Sequence, residues 1–116
     1  MRFDLVCYGR PLAALFIIGV FGTSGLHAQT GDARGAEVYA AQKCGVCHSI
    51  AGVGNQRGAL DGVGSKLTEE EIRAWIVDAA GMTEKTGAAR RPVMRSYKLA
   101  PEDLDALVRF LFALKK

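Results

Sequence analysis

Apolar residues recur at helical spacing in three segments of the chain, and no alternation typical of a β-strand competes with them. The segments cover about residues 33 to 47, about residues 68 to 80, and the residues from 101 onward. The last segment is the most regular, and its apolar stripe consists of Leu104, Leu107, Val108, Leu111 and Leu114. The pattern therefore predicts an all-α fold with three helices.

Residues that favour helix N-termini stand at the start of each segment. Asp32 is a candidate cap for the first helix, and Pro101 suits the first position of the third. The second begins with Thr68 and Glu71, which have the spacing of a capping box. Between the helices, residues 49–66 and 81–99 are long, glycine-containing and irregular, which is uncommon in a compact domain unless such loops carry function. We therefore expect the loops to surround a bound group that completes a small core.

The N-terminus has the pattern of a secretory leader. Residues 11–21 are uninterruptedly apolar and follow Arg2 and Arg10, and the block is much shorter than the roughly 20 residues that cross a bilayer. Small residues follow and lead to a cleavage site after Ala28. We predict that residues 1–28 are a cleaved signal peptide rather than a retained anchor. Residues 29–116 then form one domain in the periplasm, without stable insertion in the membrane.

The composition limits the classes of partner. The chain has 116 residues and a formal net charge of +3. This is too weakly basic to indicate nucleic-acid binding, and basic and aromatic residues are not interleaved as in single-strand binders. The most specific indication of function is therefore one short motif, CGVCH at residues 44–48.

This motif is compatible with several sites. A thioredoxin-like dithiol would need a preceding strand and a βα pattern, which the sequence lacks. A disulfide between Cys44 and Cys47 has poor geometry on a helix. Zinc needs about four ligands, and beyond the leader the chain has no histidine except His48 and no third cysteine. The CxxCH spacing is that of c-type haem attachment, with both thiols bonded to the porphyrin and the histidine on the iron. We therefore predict one haem c, covalently bound through Cys44 and Cys47.

A methionine is the candidate for the sixth iron ligand, because His48 is the only histidine left after the leader and a thioether suits an electron carrier. Met82 and Met94 are available. Met94 is favoured because Pro92 stiffens its segment and Tyr97 follows it on the way to the last helix. The alternative for either methionine is a flexible core residue.

These residues together resemble class I c-type cytochromes, particularly the small monohaem carriers of bacteria. The resemblance covers nearly all of residues 31–116 and rests on CGVCH, RGALDGVG, EEIRAWIV, PVMRSY and LDALVRFLFAL. It implies a three-helix globule wrapped around a covalently attached haem, with the first and last helices crossing. It also supports Met94, because the ligand methionine of the family lies in a similar segment.

The resemblance assigns further residues to the haem. Ala59 stands where the family usually has a proline whose carbonyl accepts a hydrogen bond from the ligand histidine, and Arg95 stands where proline commonly follows the methionine. Trp75 is expected to pack on the haem or reach a propionate. Tyr97 is expected to pack at the haem periphery or donate a hydrogen bond there.

With both axial positions occupied, the predicted function is one-electron transfer rather than enzymatic catalysis, by a monomer in a respiratory or dehydrogenase chain. Four cations form a candidate docking patch for an acidic redox partner: Arg90, Arg91, Arg95 and Lys98. One alternative is a haem subunit of a larger oxidoreductase complex. Another is a protein that binds a gas or peroxide at a labile sixth position.

Overall fold

The structure is a computed structural model and describes residues 26–116, with side chains from residue 33 onward. Most of the predicted leader lies outside these residues. The helices are α1 (Leu26–Ala41), α2 (Val63–Lys66), α3 (Glu69–Val77), α4 (Ala79–Thr86) and α5 (Pro101–Phe112). A hairpin of two short antiparallel strands, β1 (Ser49–Ile50) and β2 (Val53–Gly54), lies between α1 and α2. The predicted all-α class is confirmed, although the hairpin was not predicted.

The first helix differs from its prediction at both ends. It begins at Leu26, so Asp32 lies inside it instead of capping it. It ends at Ala41 rather than near Cys47, because Lys43 adopts a left-handed backbone with φ 56°. Residues 44–46 then form a separate 3-10 turn. The two cysteines of the motif therefore lie on and just after this turn rather than on the helix.

Helices α1 and α5 pack against each other and form the centre of the core. Val38 of α1 and Val108 of α5 are buried within one apolar cluster with α3. Gly35 of α1 faces the backbone of α5, where a β-carbon would overlap Phe110 and the carbonyl of Ala106. The absence of a side chain at Gly35 thus sets how closely the two helices approach.

The predicted second helix is two helices. Its capping box is confirmed, since the Thr68 hydroxyl accepts from the Glu71 amide at 3.2 Å and the Glu71 carboxylate accepts from the Thr68 amide at 2.9 Å. The helix ends at Val77. Asp78 leaves the helical conformation, and its side chain accepts a hydrogen bond from the Gly81 amide to begin α4. Helix α4 ends at Gly87, which has φ +67°. Part of the stretch predicted to be irregular is therefore helical.

The last helix starts at Pro101 as predicted and ends at Phe112. Lys115 lies beyond the helix and donates to the Gly64 carbonyl, while Lys116 bonds Ser65. The C-terminal residues thereby fasten α2 beside α5. Within residues 26–116, no helix is long and apolar enough to cross a membrane.

Candidate haem site

The CGVCH motif forms a tight turn that gathers its own functional groups. The amides of Cys47 and His48 both donate to the carbonyl of Cys44, at 3.1 and 2.9 Å. The side chains of all three residues line one cavity. Burial raises the pKa of the Cys44 thiol, which therefore stays protonated, while Cys47 is exposed. The turn thus presents two thiols and an imidazole to the same space.

His48 is oriented by a backbone carbonyl. Its Nδ1–H donates to the Gly58 carbonyl at 2.9 Å, which leaves Nε2 free of a proton and suitable for a metal ion. Burial lowers the pKa of His48, and the nearby Arg90 lowers it further, so the imidazole is neutral. The predicted acceptor, the carbonyl of Ala59, is wrong by one residue. Ala59 is exposed and its backbone instead forms a parallel bridge with Ser49, which draws the preceding carbonyl toward the imidazole.

Asn55 stabilises the CGVCH turn through three hydrogen-bond contacts and was not predicted as a site residue. Its amide N–H lies 3.1 Å from the Gly45 carbonyl and 2.9 Å from that of His48, and its side chain donates to the Val46 carbonyl at 3.2 Å. The preceding Gly54 has φ +108°, and a β-carbon there would overlap the His48 carbonyl. The adjacent Gly54 and Asn55, shortly after CGVCH, were the feature of the sequence that could have indicated these contacts.

The cavity has a volume of about 630 Å³ and lies between the motif turn, α3, α5 and the segment before α5. Of the residues predicted for the site, it is lined by Cys44, Cys47, His48, Trp75, Met94 and Tyr97. Ala59 is not among the lining residues. Met82 is buried in the core with 8% of its surface exposed and does not line the cavity either. The structure thus brings Met94, rather than Met82, to the same space as His48.

The Met94 segment is fastened on its C-terminal side. The Ser96 hydroxyl accepts from the Ala79 amide at 3.0 Å, and the Tyr97 amide donates to the Ile76 carbonyl at 2.8 Å. The guanidinium carbon of Arg95 lies 4.9 Å from the centre of the Tyr97 ring, a cation–π contact. These bonds attach the segment to the junction of α3 and α4. The proline that the family has after the methionine is replaced by an arginine that stacks on this same segment.

The groups that line the cavity fit a haem. The lining is mainly apolar side chains, with two thiols and a neutral imidazole at one end. Tyr39 also lines it, and its buried hydroxyl has no hydrogen-bond partner among the described residues. By contrast, within residues 26–116 no cluster of three or more His, Cys, Asp or Glu side chains could hold a metal ion alone. An apolar macrocycle with its own metal suits this cavity better than a zinc ion does.

The family model described as Cytochrome c matches residues 33–115. The chain belongs to the cytochrome c family. Comparisons with curated proteins and with solved structures gave no match. The family uses haem for electron transfer, and the cofactor of this cytochrome is haem c, attached through Cys44 and Cys47.

Proposed function

We propose that this cytochrome is a periplasmic one-electron carrier whose haem iron is ligated by His48 and Met94. The observation that carries the proposal is the cavity, which His48 and Met94 both line while Met82 lies in the core. A thioether and an imidazole as the two ligands would favour the ferrous state and give the relatively high potential of an electron carrier. No open position is then left for a substrate, so no catalytic residue is proposed.

The bound haem would supply the reversible ferric–ferrous exchange of one electron. The chain contributes the surroundings. The Gly58 carbonyl orients His48 at Nδ1, and the bonds at Ser96 and Tyr97 hold the Met94 segment in place. Apolar side chains from α3 and α5 exclude water from the cavity. Ligation by His48 and Met94 in both oxidation states would keep the reorganisation on electron transfer small.

Tyr39 and Trp75 are proposed to contact the haem from the α1 and α3 sides. Burial raises the pKa of Tyr39, so its hydroxyl remains a donor in the neutral range. This hydroxyl has no hydrogen-bond partner among the described residues, so an acceptor atom of the haem or an enclosed water would provide one. Trp75 is half-buried in the cavity lining, where its ring would pack on the macrocycle.

The ligand assignment is tested with Met94→Ala and its matched control Met82→Ala. In purified wild-type protein we expect c-type bands and the weak far-red band of a methionine sulfur on ferric haem. Met94→Ala should lose the far-red band and bind carbon monoxide in the ferrous state. Met82→Ala should keep the band and lose only stability, because Met82 is a core residue. The opposite pattern would reverse the assignment, and loss in neither variant would contradict methionine ligation.

A partner is proposed to dock where the cavity meets solvent. Arg90, Arg91, Arg95 and Lys98 are exposed there or next to it, and Val46 and Val93, which also line the cavity, are 69% and 43% exposed. Apolar side chains ringed by cations suit brief docking of an acidic redox protein.

The docking charge is tested by electron exchange with two small reagents, anionic hexacyanoferrate and a cationic cobalt complex. Added salt should slow the first reaction and accelerate the second. Lys98→Glu should weaken both salt effects, whereas Lys66→Glu, at an exposed residue of α2 that does not line the cavity, should change them much less. Equal changes of the salt effects in the two variants would mean that the net charge of the protein, and not the docking patch, determines the exchange rates.

The proposed periplasmic location depends on the leader. We expect the protein from a periplasmic extract to begin at Gln29, since cleavage after Ala28 is predicted. N-terminal sequencing of the haem-loaded protein checks this. A chain that keeps residues 1–28 and pellets with membranes would contradict both the cleavage and the diffusible carrier.

A further inference from the structure

Arg90 joins the segment that carries Met94 to the turn that carries His48. It lies four residues before Met94, and its guanidinium donates to the carbonyl of Cys47. The other terminal nitrogen of the same side chain lies against Gly58, where a β-carbon would overlap it. A glycine at position 58 therefore leaves the space that the guanidinium occupies.

Both residues that Arg90 contacts lie next to His48. Cys47 precedes His48 in the chain, and the Gly58 carbonyl accepts a hydrogen bond from His48 Nδ1–H. Among the ion pairs formed within residues 33–116, none includes Arg90. No carboxylate of the described chain thus neutralises this positive charge.

Arg90 also attaches the segment on the N-terminal side of Met94 to the rest of the protein. Within the described chain, its bond to Cys47 is the one hydrogen bond that joins residues 89–94 to the rest of the protein. The C-terminal side of the segment has the bonds at Ser96 and Tyr97. Without Arg90, no hydrogen bond of the described chain would hold residues 89–94 between the bond of the Ala88 amide to the Thr83 carbonyl and that of the Ser96 hydroxyl to the Ala79 amide.

We propose that Arg90 is a positioning residue that raises the reduction potential of this cytochrome and holds Met94 in place from the His48 side. The proposal rests on the proposed His48 and Met94 ligation. A redox partner would supply one electron to the bound haem, so the charge of the site would fall by one without transfer of a proton. A nearby uncompensated cation disfavours the more positive ferric state.

The test compares three variants of the full haem-loaded protein: Arg90→Gln, Arg90→Lys and Arg91→Gln. Arg91 is the matched control, because it is the adjacent exposed arginine, bonds only the Arg90 carbonyl and does not line the cavity. Two quantities are measured: the midpoint potential, and the affinity of the ferric protein for added imidazole, which must displace the methionine.

Arg90→Gln should lower the potential and bind imidazole several-fold more tightly than wild type. Arg90→Lys keeps the charge but loses the forked donors, so its potential should stay nearer to wild type while imidazole still binds more tightly. Arg91→Gln should leave both quantities close to wild type. If Arg90→Gln does not fold, tighter imidazole binding by Arg90→Lys supports the attachment through Arg90 and wild-type binding contradicts it.

Equal shifts for Arg90→Gln and Arg91→Gln would overturn the proposal, because any surface charge would then act alike. Unchanged values in Arg90→Gln would overturn it as well. Failure of the ligand assignment is seen separately, as a missing far-red band in the wild-type protein. The Arg90 proposal alone fails when wild type shows that band and the two arginine variants behave alike.

Discussion

Replacing Gly35 with alanine tests how the two ends of the domain are held together. Gly35 is buried on α1, where a β-carbon would lie within 3.0 Å of both the Phe110 β-carbon and the Ala106 carbonyl oxygen. The obstacle is largely the backbone of α5, which cannot rotate away as a side chain could. The variant must therefore move one helix relative to the other or distort both.

The expected size follows from two opposing effects. Overpacking in a well-packed core costs roughly 1–3 kcal/mol, and the rigid obstacle places Gly35→Ala toward the upper part of that range. Alanine in place of glycine in a helix contributes about 0.8–1 kcal/mol in the other direction. The net loss of stability is thus about 1–2 kcal/mol, or about 5–15 °C in Tm for a domain of this size.

The assay is urea unfolding of the haem-loaded protein, followed by far-ultraviolet circular dichroism. Ala36→Gly is the control, because position 36 is the exposed neighbour on the same helix and reports the glycine–alanine difference without the contact. The decrease in the free energy of unfolding in Gly35→Ala, added to the decrease in Ala36→Gly, estimates the steric cost of the alanine β-carbon at position 35. A Gly35→Ala protein as stable as wild type, with an unchanged m-value, would refute close packing of α1 and α5 at this point.

Three further changes address other contacts. Thr68→Ala removes the cap of α3 and should cost about 1 kcal/mol in the same urea assay; Thr68→Ser should restore most of it. Gly54→Ala combines a positive φ with an overlap at the His48 carbonyl, so it should lower the stability more than Thr68→Ala does and weaken the far-red band. A normal far-red band would mean that Gly54 does not help to position His48. Asp103→Asn breaks the largely exposed ion pair with Arg34, 2.6 Å long, and should cost less than about 1 kcal/mol, with the loss fading in 1 M salt. A large, salt-independent loss would instead mean that the pair acts through packing.

The site is predictable from sequence where it depends on neighbours in the chain. The CGVCH spacing predicted the two attachment cysteines and a histidine beside them, because a few covalent bonds limit how far those groups can separate. The helix starts at Thr68 and Pro101 were predicted correctly for the same reason, since capping acts over three or four residues.

The errors occur where distant segments decide the backbone. The break at Asp78 was missed because Ser96, far along the chain, accepts from the amide of Ala79 and helps begin a new helix there. The acceptor for His48 was misplaced by one residue because a bridge between Ser49 and Ala59 sets which carbonyl faces the ring.

The sequence by itself thus determined the chemistry of the cofactor, the helical class and two of the helix starts. The tertiary structure decided which groups share the cavity. It placed Met94 in the lining, as the residues around Met94 favoured, and Met82 in the core. It also brought Arg90 to the Cys47 carbonyl across 43 residues of chain. Local pattern cannot specify such pairs, because their geometry follows from how the helices pack and not from the residues beside them.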